Sequence, residues 1–100
     1  MRIAQVIGRV TLNHQLPSFK GGRWLMLSPL DRDQLATACD QPPALTSQPS
    51  VVAYDNLGAG TGDIVGFVEG AEATAPFEQP MPIDAICVAI FDTLNYQPPN

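Results

Sequence analysis

From Arg2 to Leu12 the chain alternates with period two: Ala4, Val6, Gly8, Val10 and Leu12 fall on one face, and Gln5, Arg9 and Thr11 fall on the other with Ile3 and Ile7. That periodicity predicts a strand. Asn13–Gly22 carries Pro17, Gly21 and Gly22 and reads as a loop that returns the chain. Arg23–Leu30 predicts a second strand ending near Pro29, because proline cannot donate to a ladder. Shorter runs predict strands at Val51–Tyr54, Ile64–Glu69 and Ile86–Thr93. Between them, Asp31 can cap a short helix over Arg32–Cys39 or open an irregular excursion, and Asp40–Ser50 is a surface loop by composition.

Five short strands without a helical pattern predict a mainly β chain closed into a small barrel, since closure removes exposed edges. Residues 1–95 form one domain in this reading, and 96–100 a proline-rich tail. Two strands are apolar on both faces. Ile86, Val88 and Ile90 alternate with Cys87, Ala89 and Phe91, and Ile64 and Val68 stand opposite Val65 and Phe67. A barrel has one interior, so a second apolar face needs a cover. The expectation is that Val65–Phe67 and Cys87–Ala89–Phe91 face outward, towards the long loop or another subunit.

Charge narrows the function classes. Five Lys and Arg stand against ten Asp and Glu, a net charge of −5, and no cation follows Arg32. Nucleic-acid backbones reward clustered cations, and here they are scattered along the sequence. The start, MRIAQVIGRV, does not read as a signal peptide, and no run approaches the 18–20 or so apolar residues of a membrane span. Cys39 and Cys87 are too few for a disulfide framework and too far apart for a metal knuckle. Cys87, inside an apolar strand, reads as a small hydrophobe, and the expected compartment is the cytoplasm.

Candidate chemistry is sparse. Gly58, Gly60 and Gly62 form G-x-G-x-G, but Asp63 stands where a dinucleotide fingerprint needs its third glycine, and a strand pattern follows instead of a helix. These glycines read as turn residues or as places of close backbone approach. His14 lies in a polar loop without an evident partner. Asp55, Asp63, Asp84 and Asp92 sit at strand ends and turns, where carboxylates accept backbone N–H groups. Trp24 could stack a nucleic-acid base, but its apolar strand favours packing. No cofactor or metal site is expected.

Two motifs carry a resemblance. Asp55–Asn56–Leu57–Gly58–Ala59–Gly60 with Gly62–Asp63 matches D-x-x-G-A-G-x-G-[DE]. Pro82–Ile83–Asp84–Ala85, leading to Ile90–Phe91–Asp92–Thr93, matches P-[IV]-D-A-A with a hydrophobic-D-T ending. With the opening M-x-I-A-x-V-x-G-x-V strand, the chain resembles the EutN/CcmL family of bacterial microcompartment shell vertex proteins, carboxysomes included. It departs from that family's pattern at Ala71–Thr74, which lacks an arginine, and over Asp31–Ser50. The resemblance implies a five-stranded barrel similar to the oligonucleotide-binding fold. It further implies a homopentamer seated among hexagonal shell proteins within the cytoplasm, and no enzymatic activity. Subunit-interface or turn candidates are Asp55, Gly58, Ala59, Gly60, Gly62, Val65, Phe67, Pro82, Asp84 and Phe91. The rival reading is a barrel that binds single-stranded nucleic acid. An anisotropy titration separates the two: the shell reading expects no complex at moderate salt, and the rival a salt-sensitive micromolar one.

Overall fold

The computed structural model describes residues 1–39, 49–97 and 99. The strands are β1 (Arg2–Val10), β2 (Arg23–Pro29), β3 (Val51–Asp55), β4 (Ile64–Glu69) and β5 (Ala85–Ile90), with one short helix, α1 (Arg32–Leu35). They close into a barrel in the order β1-β2-β3-β5-β4, with β4 pairing back onto β1. All neighbours are antiparallel except β3 and β5, which run parallel where Tyr54 meets Ile86. The mainly β barrel agrees with the sequence pattern. Strands β1 and β5 stop short of Leu12 and Thr93, and β3 runs one residue past Tyr54. The surface loop expected at 40–50 lies outside the described residues from 40 to 48, as do positions 98 and 100 of the expected tail.

The interior is filled by alternate residues of every strand. Ala4, Val6, Leu25, Leu27, Ala53, Val65, Phe67, Ala85 and Cys87 form one cluster, joined by Ala59 from the β3–β4 turn. Val65 and Phe67 have no exposed surface in the lone chain. Burial of a side chain the size of Phe67 contributes about 1.5–3 kcal/mol. These residues therefore point inward, and the expected outward face of Val65 and Phe67 is corrected. Their register explains it: Val65 pairs with Ala4, itself inside, so the outer row of β4 is Ile64, Gly66 and Val68.

Two bulges reset the alternation. In β1, Val6 pairs with Leu27 and Gly8 with Met26, so Ile7 is the extra residue. Ala4 and Val6 face in, but Gly8 and Val10 lie beyond the shift and share the outer side with Met26 and Trp24. In β5, Phe67 pairs with Cys87 and Gly66 with Ala89, so Val88 is extra. Cys87 is buried in the core, while Ala89 falls on the opposite side with Gly66. The expected common face of Cys87, Ala89 and Phe91 does not exist, because the bulge divides it.

A second apolar layer lies against the outside of the wall. Tyr54, Ile86 and Val68 on the strands meet Ala73, Phe77, Met81 and Ile83 from the segment between β4 and β5, with Phe19 and Trp24 at the margin. Met81, Ile83 and Ala85 are buried, with exposed Pro82 and Asp84 between them, so the approach to β5 is itself extended and period two. Edge-to-face rings run Phe19–Trp24–Tyr54–Phe77 with centroids 4.9, 5.4 and 5.8 Å apart. The segment between β4 and β5 thus covers the part of the outer wall around Tyr54 and Ile86 from within the chain. At α1 the N–H of Asp31 donates to Gln34 Oε1 (3.1 Å), and the helix lasts one turn.

Burial, and secondarily the negative charge of Asp55, pushes the Cys87 thiol up from an ordinary 9.0 to about 12. The unfolded chain therefore ionises this thiol first as pH rises, so its contribution is intact below pH 9 and is lost between 9 and about 12. Denaturant melts of Cys87→Ala should show a shallower loss of stability over that interval than the parent chain. Equal slopes would place the thiol in water.

Candidate functional site

The β3–β4 connection is organised by one buried carboxylate. Asp55 ends β3 on the inward row, opposite Arg23. Its Oδ1 accepts from the N–H of Leu57 (3.3 Å), and its Oδ2 accepts from those of Gly58 and Ala59 (both 3.0 Å). A side chain that satisfies three successive donors holds the backbone in a tight turn. It also drops Ala59 into the core, where it is 1 % exposed. Beyond it, Gly60 N–H donates to Asp63 Oδ2 (2.8 Å) and Asp63 N–H to the Gly60 carbonyl (3.0 Å). Gly62 N–H then reaches the Val6 carbonyl (2.8 Å), and Val6 N–H the Asp63 carbonyl (2.9 Å). The turn is thereby tied to β1 beside its bulge.

The glycines of this turn are not equivalent. Gly58 and Gly62 take φ of +92° and +95°, the left-handed region that side chains resist. Gly60 does not, and a Cβ there meets nothing within 4 Å of this chain. Of the two readings of these glycines, the strained turn applies to Gly58 and Gly62 and not to Gly60, where close approach of another backbone would have to come from outside this chain.

Pro82 and Asp84 lie on the exposed row of the extended segment before β5. Ile83 N–H bonds to the Met81 carbonyl (2.8 Å), a γ-turn centred on Pro82, whose fixed φ suits it. The carbonyl of Asp84 accepts from Gly70 N–H (2.8 Å), fastening the cover to the strand. Phe91 is half-buried and lies with Met1 over Gly66 on the outer wall. Of the ten residues singled out in the sequence, seven build the turn or the β5 approach, Gly60 among them through its two hydrogen bonds with Asp63, two fill the core, and Phe91 lies on the wall.

The residues that the sequence reading missed are the outward apolar ones. Val88, the bulge residue of β5, is 40 % exposed, and Met26 and Val52, paired across β2 and β3, are 37 % and 46 % exposed; Ile90, 42 % exposed, lies instead opposite inward Val65, where the inner row of β5 runs out at its end. Leu57 projects from the turn and is exposed as well. Period two misplaced Val88 because the bulge shifts the phase of β5, whereas Met26 and Val52 lie in continuous register across β2 and β3, where an outward apolar residue gives no signal that sets it apart from a core one. Among the described residues no group of three His, Cys, Asp or Glu comes together, and no helix is long and apolar enough to cross a membrane.

Removal of the carboxylate in Asp55→Ala should cost on the order of 3 kcal/mol in a denaturant melt, since one buried and two half-buried donors lose a charged acceptor. Alanine at Gly58 or Gly62 should cost about 1–3 kcal/mol from backbone strain, whereas Gly60→Ala should melt within about 0.5 kcal/mol of the parent. A costly Gly60→Ala beside silent changes at 58 and 62 would refute this division.

Comparison with known proteins agrees with the barrel. Residues 1–92 match the family described as "Ethanolamine utilisation protein EutN/carboxysome". The carboxysome shell vertex protein CcmL of Synechococcus elongatus is 34 % identical over 98 residues, which span 97 % of this chain and 89 % of that protein. The bacterial microcompartment shell vertex protein PduN of Salmonella typhimurium is 32 % identical over 96 residues, 95 % and 99 % of the two chains. Among solved structures, the GrpN pentameric microcompartment shell protein of Rhodospirillum rubrum has a TM-score of 0.75 at 27 % identity, covering 96 % of this chain and 100 % of its own. The chain belongs to the EutN/CcmL family.

Proposed function

We propose that this chain is a structural shell protein whose five copies form a closed ring at the vertices of a bacterial microcompartment. The observation that carries the reading is apolar surface exposed at two separate places on the outer wall, the Met26–Val52 pair of β2 and β3 and Val88 of β5, on a barrel of a family with vertex-protein members. A closed barrel offers no free strand edge for hydrogen-bonded addition, so copies must meet through side-chain faces. A ring uses heterologous contacts, in which one patch meets a different patch on the next copy, and it is finite only when the rotation closes. Two patches on different strands fit that requirement better than one self-complementary patch.

The role of such a ring is geometrical. Hexagonal tiles cover a plane, and a shell made from them closes only where fivefold rings introduce curvature. The chain then has no catalytic task, needs no cofactor, and works inside the cell against the edges of hexagonal shell proteins. Residues 1–95 are the assembling domain in this reading, with the tail from 96 outside it. Exposed Gly60, Pro82 and Asp84 stand where a neighbour can approach.

Light scattering on the purified chain should give about five times 10.7 kDa. Val88→Asp and Val52→Asp should each lower that mass while the β signal in circular dichroism persists, because a carboxylate desolvated at an interface costs several kcal/mol. Phe67→Asp should instead abolish the fold. A monomer at every concentration would defeat the vertex reading.

A further inference from the structure

Two of the five cations, distant in sequence, are brought together by the β1–β2 register. Arg9 pairs with Leu25 and Val10 with Trp24, so Arg23 lies diagonally across from Arg9 on the same face of the ribbon. Diagonal neighbours have Cβ atoms about 7–8 Å apart, within reach of each other's long side chains. Both belong to the row that begins inside the barrel with Leu27 and Leu25 and runs out at its end. Together they line one cavity of about 270 Å³ with Thr11, Gln15, Gly22 and Trp24.

No carboxylate lines that cavity, although ten are present in the chain. Among the described residues Arg2 is matched by Glu69 at 3.0 Å, whereas neither Arg9 nor Arg23 has an ion pair. The acid nearest in register, Asp55 opposite Arg23, has its oxygens committed to three amides of its own turn. Two like charges side by side repel, and the arrangement gains only when an anion lies between them. Guanidinium forks match the planar, two-oxygen geometry of oxyanions, and the Thr11 hydroxyl and Gln15 amide add neutral donors at the same rim.

We propose that this mouth of the barrel, between Arg9 and Arg23, is a binding site for an oxyanion group. The group comes either from a dissolved carboxylate or phosphate, or from an acidic side chain of the next copy in the ring. The second source rests on the vertex reading above; the first does not.

The test titrates malonate and inorganic phosphate into the full chain while amide resonances near Thr11 and Gly22 are followed by NMR. The same sample is measured by native mass at rising sodium chloride. Variants are Arg9→Gln, Arg23→Gln and the double change, with exposed Arg32→Gln as a control outside the cavity, each first checked for parental circular dichroism. A dissolved ligand should give saturable shifts that weaken about tenfold for each guanidinium lost and stay unchanged in the control. A neighbour's carboxylate should leave the added anions without effect, while the double variant dissociates at lower salt than the parent or the control. If shifts are absent and dissociation is unmoved, the site is overturned. A parent chain that is monomeric would defeat the vertex reading and leave the titration to decide the site on its own.

Discussion

The fold depends on one carboxylate turned back on its own chain. Asp55 sits at the end of β3, where the inward row runs out, and its two oxygens hold the amides of Leu57, Gly58 and Ala59. That grip reverses the chain, seats Ala59 in the core and delivers Gly62 and Asp63 to Val6 of β1. Only then can β4 run along β1 and close the sheet on itself. An apolar residue at 55 would leave the three turn amides without this acceptor, and the buried N–H of Ala59 could not turn to water instead.

The same residue acts on the neighbouring strand. Its charge adds to the burial that disfavours ionisation of Cys87, an inward residue of β5. The charge is tolerated there because the three donors neutralise it locally, which is why a buried acid and a buried thiol share one core. The exposed pair Arg2–Glu69, by contrast, bridges β1 and β4 at the surface and is worth at most about 1 kcal/mol.

The strands were legible because alternation is a local signal, and the turn because Asp, Gly and Gly in that spacing leave little choice of backbone. What periodicity could not convey was phase. One extra residue at Ile7 and one at Val88 exchange inside for outside along the rest of each strand. The bulges are set by tertiary pairing, so Val88 passed for an inner residue; on β4, apolar on both faces, only the pairing of Val65 with Ala4 tells inside from outside. The second layer was hidden for a different reason. Phe77, Met81 and Ile83 lie in a proline-rich stretch without regular structure, and only the folded chain brings them over Tyr54 and Ile86. The pairing of Arg9 with Arg23 was likewise invisible, since fourteen positions of sequence collapse to a diagonal step once the hairpin forms.

The aromatic run from Phe19 to Phe77 gives the molecule a built-in optical probe. Trp24 is the sole tryptophan, and it lies in the outer layer, not the barrel core. Its emission therefore reports on whether the cover is seated, while backbone dichroism reports on the barrel beneath. If the two layers part company on heating, the signals will follow different curves and the chain will not unfold as a single cooperative unit. If they coincide, the cover is as much a part of the folding unit as the sheet that it lies on.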